Sequence, residues 1–401
     1  MSLFSKTQGQ STLIFGKKPL TCVSCGLYKN ANSPKMKPTG NFKKQIMLIG
    51  TAPSYYDDRD GVHWSDKYGQ YLKKALKDIG VDLFDDCISI NAINCHPGDK
   101  EPSPHEIGCC RRIVMKAIDN YQPKVIIALG TYALTTLIGH RWKKDLNTIE
   151  KWRGFVIPDQ DLKAWVCPVY APDFIIKNDA VADVLFRNDL LKIKAVISKP
   201  WQRLKKYEID YITDLSVLDT ITSSLVAIDY ETTGIKPHAP GHQIVCVSIA
   251  DTPDHAYVFM MPKSKKKRAP FIRLLANVFI AKTGQNIKFE ETWSTIILGQ
   301  SIANWEFDTQ LASHQLDSRD GVTGLKFQTY INFGVIDYTS EVDEYLRSND
   351  ESGNAFNKVL ELVQSAEGAK SLMKYCAQDT IYQYRLALIQ IEKLNYTYLP
   401  F

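Results

Sequence analysis

Short apolar runs alternate with segments of helical periodicity along the whole chain. In the first half, Gln45–Ile49, Cys87–Ile90, Val125–Leu129 and Val166–Tyr170 have the length and composition of buried strands. Between them, Gly69–Ile79, Ser103–Asn120 and Thr131–Leu137 repeat apolar residues every three to four positions, which predicts helices facing a core. Gly50 and Gly130 follow strands and precede turns or helices, as in an α/β sheet. Ile193–Tyr207, rich in Lys, Pro, Trp and Arg, reads as a linker or connecting helix. The second half opens on strands at Leu225–Tyr230, Ile244–Ala250 and near Ala256–Met260. Helices are expected at Ile272–Phe279, Glu291–Leu298, Thr309–Leu316 and about Leu372–Lys393. The pattern predicts an α/β protein of two domains, residues 1–195 and 215–401, joined by a linker at 196–214.

Composition narrows the class. A chain of 401 residues can hold two or three cores. No apolar run approaches membrane-spanning length, and the N-terminus lacks a signal-peptide pattern. The expected location is the cytoplasm. Nine cysteines in a leaderless chain argue against a disulfide scaffold, and their clustering argues for metal. The first fifty residues carry lysines (Lys6, Lys17, Lys18, Lys29, Lys35, Lys37, Lys43, Lys44) and no acid. A second basic run spans Lys263 to Arg268. These runs suggest nucleic-acid contact.

The acids of the second half carry the chemistry. Asp229 and Glu231 end an apolar strand in V-A-I-D-Y-E-T-T-G. Side chains alternate along a strand, so both carboxylates lie on one side. Such a pair calls for a cation. Two Mg²⁺ or Mn²⁺ ions held by such acids can clamp the attacking and leaving oxygens of a phosphodiester. Glu290 lies in G-Q-N-I-K-F-E, and Tyr375 and Asp379 sit four apart on one helix face in Y-C-A-Q-D.

This ordered set, with W-E-F-D-T between, resembles the three exonuclease motifs of the DEDDy group, most closely the proofreading domain of family A DNA polymerases. The similarity covers about residues 215–393. It implies a ribonuclease-H-like, DnaQ-type fold and a 3′→5′ exodeoxyribonuclease acting on single-stranded 3′ ends. Asp229, Glu231 and Asp379 would hold the metals, and Tyr375 would orient the attacking water. Glu290 stands where the family has Asp. Asn286 and Asp308 are expected to support the site by hydrogen bonding, and Glu291 to point elsewhere.

In the first half, Cys22 and Cys25 form C-x-x-C, Cys95 lies in N-C-H-P-G-D, and S-P-H-E-I-G-C-C ends in Cys109 and Cys110. Four thiolates suit an iron–sulfur cluster or zinc. The stretch from Ile90 to Cys110 resembles the cluster-binding segment of family 4 and 5 uracil-DNA glycosylases. L-I-G-T-A-P-S, I-I-A-L-G-T-Y-A, Trp152-Arg153-Gly154 and P-V-Y-A-P agree with it. The resemblance, over about residues 20–178, implies a three-layer α/β/α domain. It implies a 4Fe–4S cluster on Cys22, Cys25, Cys95 and Cys110, with Cys109 as competing fourth ligand. Asn91 would read a base edge and Trp64 would stack on an extruded base. Alternatively Trp64 is core and Asn91 a strand-end hydrogen-bonder.

Two positions depart from that family. Thr51 replaces the Glu that handles water, and Ala171 replaces the His that stabilises the departing uracil anion. Losing one such donor costs about 10²–10³ in rate. The expectation is a DNA-binding, glycosylase-like domain without base excision, fused to an exonuclease. This order resembles the N-terminal part of certain bacteriophage DNA polymerases, which suggests either a subunit with a separate polymerase as partner or a fragment of a phage polymerase, in the host's cytoplasm if phage-encoded. The alternatives are a glycosylase for a modified pyrimidine and a non-catalytic subunit of a replication complex.

Overall fold

In the first half, β1 (Ile46–Gly50), β2 (Cys87–Asn91) and β3 (Val125–Leu129) are buried at every residue. Strands buried on both faces read as continuous apolar runs because helices cover both sides of a parallel sheet. The computed structural model describes residues 14–15, 18–142, 146–178, 180–336, 338–348 and 354–397. Lys6, Lys17 and the terminal Leu399-Pro400-Phe401 lie outside them. The chain divides into two compact units, Met1–Arg203 and Leu204–Phe401.

The first unit holds a five-stranded sheet in the order β2-β1-β3-β5-β4, with β4 at Ile157–Asp159 and β5 at Ala164–Val169. All neighbours are parallel except β4, which runs antiparallel to β5. The helices that place the site are α1 (Cys22–Cys25), α2 (Tyr55–Asp60), α3 (Lys67–Asp78), α4 (Pro104–Tyr121), α5 (Thr131–Leu137), α6 (Pro172–Lys177) and α7 (Ala180–Ile197). Ser103 caps α4 and Glu106 returns the bond to the Ser103 N–H, a capping box with Pro104 in the first turn. Trp152 is fully buried and packs edge-on to Trp142 at 5.1 Å.

The second unit holds a six-stranded sheet in the order β11-β10-β7-β8-β9-β6. Its strands are β6 (Glu208–Tyr211), β7 (Leu225–Thr232), β8 (Ile244–Thr252), β9 (His255–Met260), β10 (Ala281–Gly284) and β11 (Trp305–Asp308). β8 is antiparallel to both neighbours, while β10 is parallel to β7 and to β11. Counted from β7, the five strands run 3-2-1-4-5 with the second reversed. This is the ribonuclease-H-like order that the exonuclease motifs imply. The span read as linker, 196–214, contains β6, which pairs in parallel with β9.

Alternation along β7 sorts its side chains. Val226, Ile228 and Tyr230 join a core with Phe271, Leu274, Leu275 and Trp293. Leu225 and Ala227 join a second core with Leu372, Cys376, Ala377 and Ile381. The latter four belong to the 28-residue helix α12 (Ala366–Lys393). Each fully buried Phe or Leu contributes about 1.5–3 kcal/mol. The same alternation turns Asp229 and Glu231 toward α12.

One predicted helix is displaced. The structure forms α8 at Lys265–Ala276, not at Ile272–Phe279, and Phe279 is 74% exposed. The charged first turn and Pro270, a residue inside the helix that an apolar pattern reads as a breaker, conceal its start. Helices α9 (Lys288–Trp293), α10 (Thr309–Leu316) and α11 (Leu325–Phe333) complete the elements used below.

Candidate functional site

Asp229 and Glu231 leave β7 on the face covered by α12. Leu372, Tyr375, Cys376 and Asp379 fall at positions i, i+3, i+4 and i+7 of that helix, so they share one stripe. Asp229, Glu231 and Cys376 each offer a ligand atom, and these atoms lie within 4.8 Å of one another. The Cys376 thiol donates toward the Asp229 main-chain oxygen at 3.6 Å and the Asp229 Oδ2 at 3.5 Å. Asp379 Oδ1 accepts the Tyr338 hydroxyl at 2.6 Å and the Lys326 ammonium. The Lys326 Nζ lies 3.9 Å from the Tyr338 ring centre and 4.2 Å from that of Tyr375.

Burial pushes the Asp229 and Glu231 carboxyls above the usual carboxylate range. The charge of Asp379 raises Asp229 further, and those of Asp229 and Asp379 raise Glu231. Burial also lowers Lys326 and raises Tyr375. Loss of hydration disfavours the charged form of each group, and repulsion between like charges adds to it for the carboxyls and Tyr375, whereas the carboxylates partly offset it for Lys326.

Glu290 sits in the first turn of α9 and is 3% exposed. Its Oε2 has no hydrogen-bond partner among the described residues. Burial, then the charge of Asp229, drives this carboxyl upward. A buried oxygen left bare beside other carboxylates is an unmet demand for a cation. The donor set of Asp229, Glu231, Glu290 and Asp379 is all hard oxygen, which fits Mg²⁺ or Mn²⁺.

Asp308 caps α10 and clamps the preceding loop. Its Oδ1 accepts from the N–H groups of Asn286 (3.1 Å), Gln310 (2.8 Å) and Leu311 (3.2 Å), and its Oδ2 from that of Ile287 (3.0 Å). This holds the Gln285–Ile287 segment that leads into Glu290. Glu291 points away, accepting from Ser301, Ile302 and Trp305 at 2.6, 3.0 and 3.0 Å. Beside Tyr375, a cavity of about 240 Å³ is lined by Tyr338, Glu341, Ser371, Lys374 and Gln378.

Sequence reasoning missed Lys326, Tyr338 and Cys376. Cys376 was within reach, since the i+4 spacing from Leu372 puts it on the site stripe. Lys326, in G-L-K-F, is a lysine among buried residues of α11 (Phe327, Tyr330, Ile331), and that contrast was its only signal.

In the first unit a cavity of about 480 Å³ is lined by Thr51, Trp64, Asp57, Asp66, Ala171 and Phe174, among others. Asn91 is not part of that lining. Its Oδ1 lies 2.3 Å from where a Cβ on Gly50 would be, and the Trp64 ring edge lies 3.0 Å from that point. Gly50 therefore lets the amide and the indole converge. Trp64 Nε1 donates to Ser89 Oγ at 2.9 Å, and its backbone has φ +68°. A Cβ on Gly130 would meet the Ala171 Cβ at 3.0 Å. Of the acids that follow Thr51 in sequence, Asp57 accepts from the backbone N–H groups of Ser54 and Ser65, and Asp58 from those of Asn32 and Ser33.

The thiols of Cys22, Cys25, Cys95 and Cys110 line one small cavity. Burial raises Cys25, Cys95 and Cys110, the last to about 12, and the neighbouring thiols raise each further. The Lys35 N–H donates to Cys95 Sγ at 3.2 Å. Cys109 lies outside that lining, with Ser24 Oγ at 3.8 Å and His105 Nε2 at 3.6 Å. Among the described residues, no helix is long and apolar enough to cross a membrane.

Residues 37–205 match the model of the uracil DNA glycosylase superfamily. A Type-4 uracil-DNA glycosylase of Pyrobaculum aerophilum is 32% identical over 174 residues, covering 42% of this chain and 86% of the relative. A DNA polymerase of Bacillus phage SP01 is 26% identical over 223 residues, 52% of this chain and 23% of the polymerase's length. Among solved structures, NrnC of Brucella melitensis with bound Mg²⁺ matches with a TM-score of 0.32 at 21% identity, covering 48% of this chain and 84% of that one.

Proposed function

We propose a function from the premise that this chain belongs, through its N-terminal half, to the uracil-DNA glycosylase superfamily. The second unit is a metal-dependent 3′→5′ DNA exonuclease, and the first holds DNA without excising a base. The observation that carries the nuclease reading is the pair of carboxylates Asp229 and Glu231 on β7, which converge within 4.8 Å beside the Cys376 thiol, with Asp379 on α12 and the bare Oε2 of Glu290 close enough to couple to the Asp229 charge.

Asp229, Glu231 and Asp379 would hold two Mg²⁺ or Mn²⁺ ions, with Glu290 completing the set. Bound divalent ions supply Lewis-acid activation of water and charge for the departing oxygen. Tyr375, on the same stripe, orients the attacking water as a hydrogen-bond partner. Tyr338 and Lys326 hold the Asp379 carboxylate in place. Lys374, at the mouth of the neighbouring cavity, meets the phosphate backbone of a single-stranded 3′ end.

Cys22, Cys25, Cys95 and Cys110 would hold a 4Fe–4S cluster. Four thiols converging on one cavity suit such a cluster, with a single zinc as the alternative.

The 480 Å³ cavity beside Trp64 supports a second role for the first unit, holding an extruded base. Thr51 and Ala171 replace the carboxylate and the imidazole of the glycosylases the domain resembles, and although Asp57 and Asp66 line the cavity we assign it retention rather than excision. The likeness to part of a phage polymerase supports a place beside a polymerase, as a subunit or as a segment of a longer chain.

One experiment separates the readings. A 5′-labelled oligonucleotide with a single internal uracil is incubated in Mg²⁺ or in EDTA, then treated with alkali. The expected result is a Mg²⁺-dependent ladder shortening from the 3′ end, lost in the Asp229→Ala, Glu231→Ala protein. Alkali cleavage at the uracil in EDTA, without that ladder, would make the first unit the enzyme. Unchanged oligonucleotide throughout would leave a binding subunit.

A further inference from the structure

Lys326 lies inside the carboxylate cluster, and holding the Asp379 carboxylate is only part of what its charge does there. Its side chain is 18% exposed and that of its partner Asp379 is 8% exposed. We propose that Lys326 is a built-in counter-ion of the carboxylate cluster, with which divalent ions must compete at Asp379, so that this one side chain sets the metal affinity of the site. The inference rests on the nuclease reading.

Three arrangements support it. The ammonium contacts Asp379 Oδ1, and the other acids acting on it are Asp229 and Glu231, so it faces three members of the cluster. The rings of Tyr338 and Tyr375 flank it at 3.9 and 4.2 Å, a cation–π clamp that holds a positive charge at this point. The Tyr338 hydroxyl donates to the same Oδ1, so that oxygen already serves two donors. A metal ion ligated by either oxygen of Asp379 must sit close to a fixed positive charge.

The sign follows from charge alone. In the metal-free protein the ammonium offsets repulsion among buried carboxylates. In the metal-loaded protein it repels a divalent ion a few ångströms away. Removing it destabilises the first state and favours the second, and both changes tighten metal binding. After side-chain relaxation the expected effect is about tenfold in affinity.

The test uses the full chain, stripped of metal, and Lys326→Met, which keeps the length and apolar contacts of the stem. Mn²⁺ is titrated and the free ion followed by electron paramagnetic resonance, with thermal melts in EDTA alongside. The expected result is Mn²⁺ binding about tenfold tighter in K326M, a lower melting temperature in EDTA, and wild-type affinity in Lys326→Arg. Wild-type or weaker Mn²⁺ affinity in folded K326M would overturn the proposal. If K326M does not fold, Lys326→Gln is read by the same criteria. A wild-type protein that binds no Mn²⁺, or binds it undiminished after Asp229→Ala, Glu231→Ala, brings down the nuclease reading and this inference with it. Wild-type binding lost in that double variant, with K326M unchanged, brings down this inference alone.

Discussion

Replacing Glu290 by Met should make the metal-free protein more stable at neutral pH while abolishing its metal-dependent activity. Glu290 is 3% exposed, its Oε2 has no partner among the described residues, and burial plus the Asp229 charge raise its carboxyl above the 4.5 of a solvated glutamate. A carboxyl with a raised folded pKa binds more protons in the folded than in the unfolded protein, so stability falls as pH rises. Below about pH 4.5 the group is neutral in both states and costs nothing by this route. Above it, each pH unit costs about 1.4 kcal/mol until the folded pKa is reached, after which the loss is constant. At pH 7 the cost is therefore at most about 3.4 kcal/mol, the product of 1.36 and the 2.5 units above 4.5. Methionine has a similar length and no polar atom to strand. Urea unfolding in EDTA should show the variant more stable by about 1–3 kcal/mol at pH 7, with the difference shrinking toward pH 4.5. An equal or lower stability at pH 7, or a difference independent of pH, would refute the reasoning. Excess Mg²⁺ should reverse the order, because only the wild type has the fourth carboxylate to offer it.

Asp308→Ala removes acceptors from four backbone N–H groups, so the second unit should lose about 2 kcal/mol or more, read from urea unfolding, and KM for single-stranded DNA should rise as the loop before Glu290 loosens. Cys110→Ser should lose the iron and visible absorbance of anaerobically purified protein, whereas Cys109→Ser should keep both, because Cys110 lines the cysteine cavity and Cys109 does not. Asp189→Ala takes from Arg153 the carboxylate, 1% exposed, to which it makes paired bonds of 3.0 and 3.1 Å. It should cost the first unit about 3–5 kcal/mol in a denaturant melt.

The strands that carry the sites were legible because they are long apolar runs ending in a glycine or in acids. β1, β3 and β7 each begin within a residue of their expected start. Short strands were not. β10 reads A-K-T-G, with a buried lysine, and β6 reads E-I-D-Y within a charged stretch, so neither shows an apolar run or a clean alternation. Partners in the second sheet fix these strands, and periodicity cannot report a partner. At the carboxylate cluster, the acids declared themselves through their order along the chain. Lys326 and Tyr338 did not, because each reaches the cluster only through the packing of α11 and the following loop against α12. The amide of Asn91 shows the reverse. Its residue type suggested a place in the cavity wall, but Gly50 and the Trp64 ring stand beside its Oδ1, and Asn91 does not line the cavity.

The long helix α12 has a consequence during synthesis. Asp229 is translated about 150 residues before Asp379, and Tyr375 and Cys376 arrive with the latter. At about 5–20 residues per second, the ribosome needs roughly 8–30 s to cover that distance. Over that interval β7 carries its two acids with no helix to complete them. Under the proposed function, a nascent chain has no complete nuclease site until the helix that also closes the core has docked.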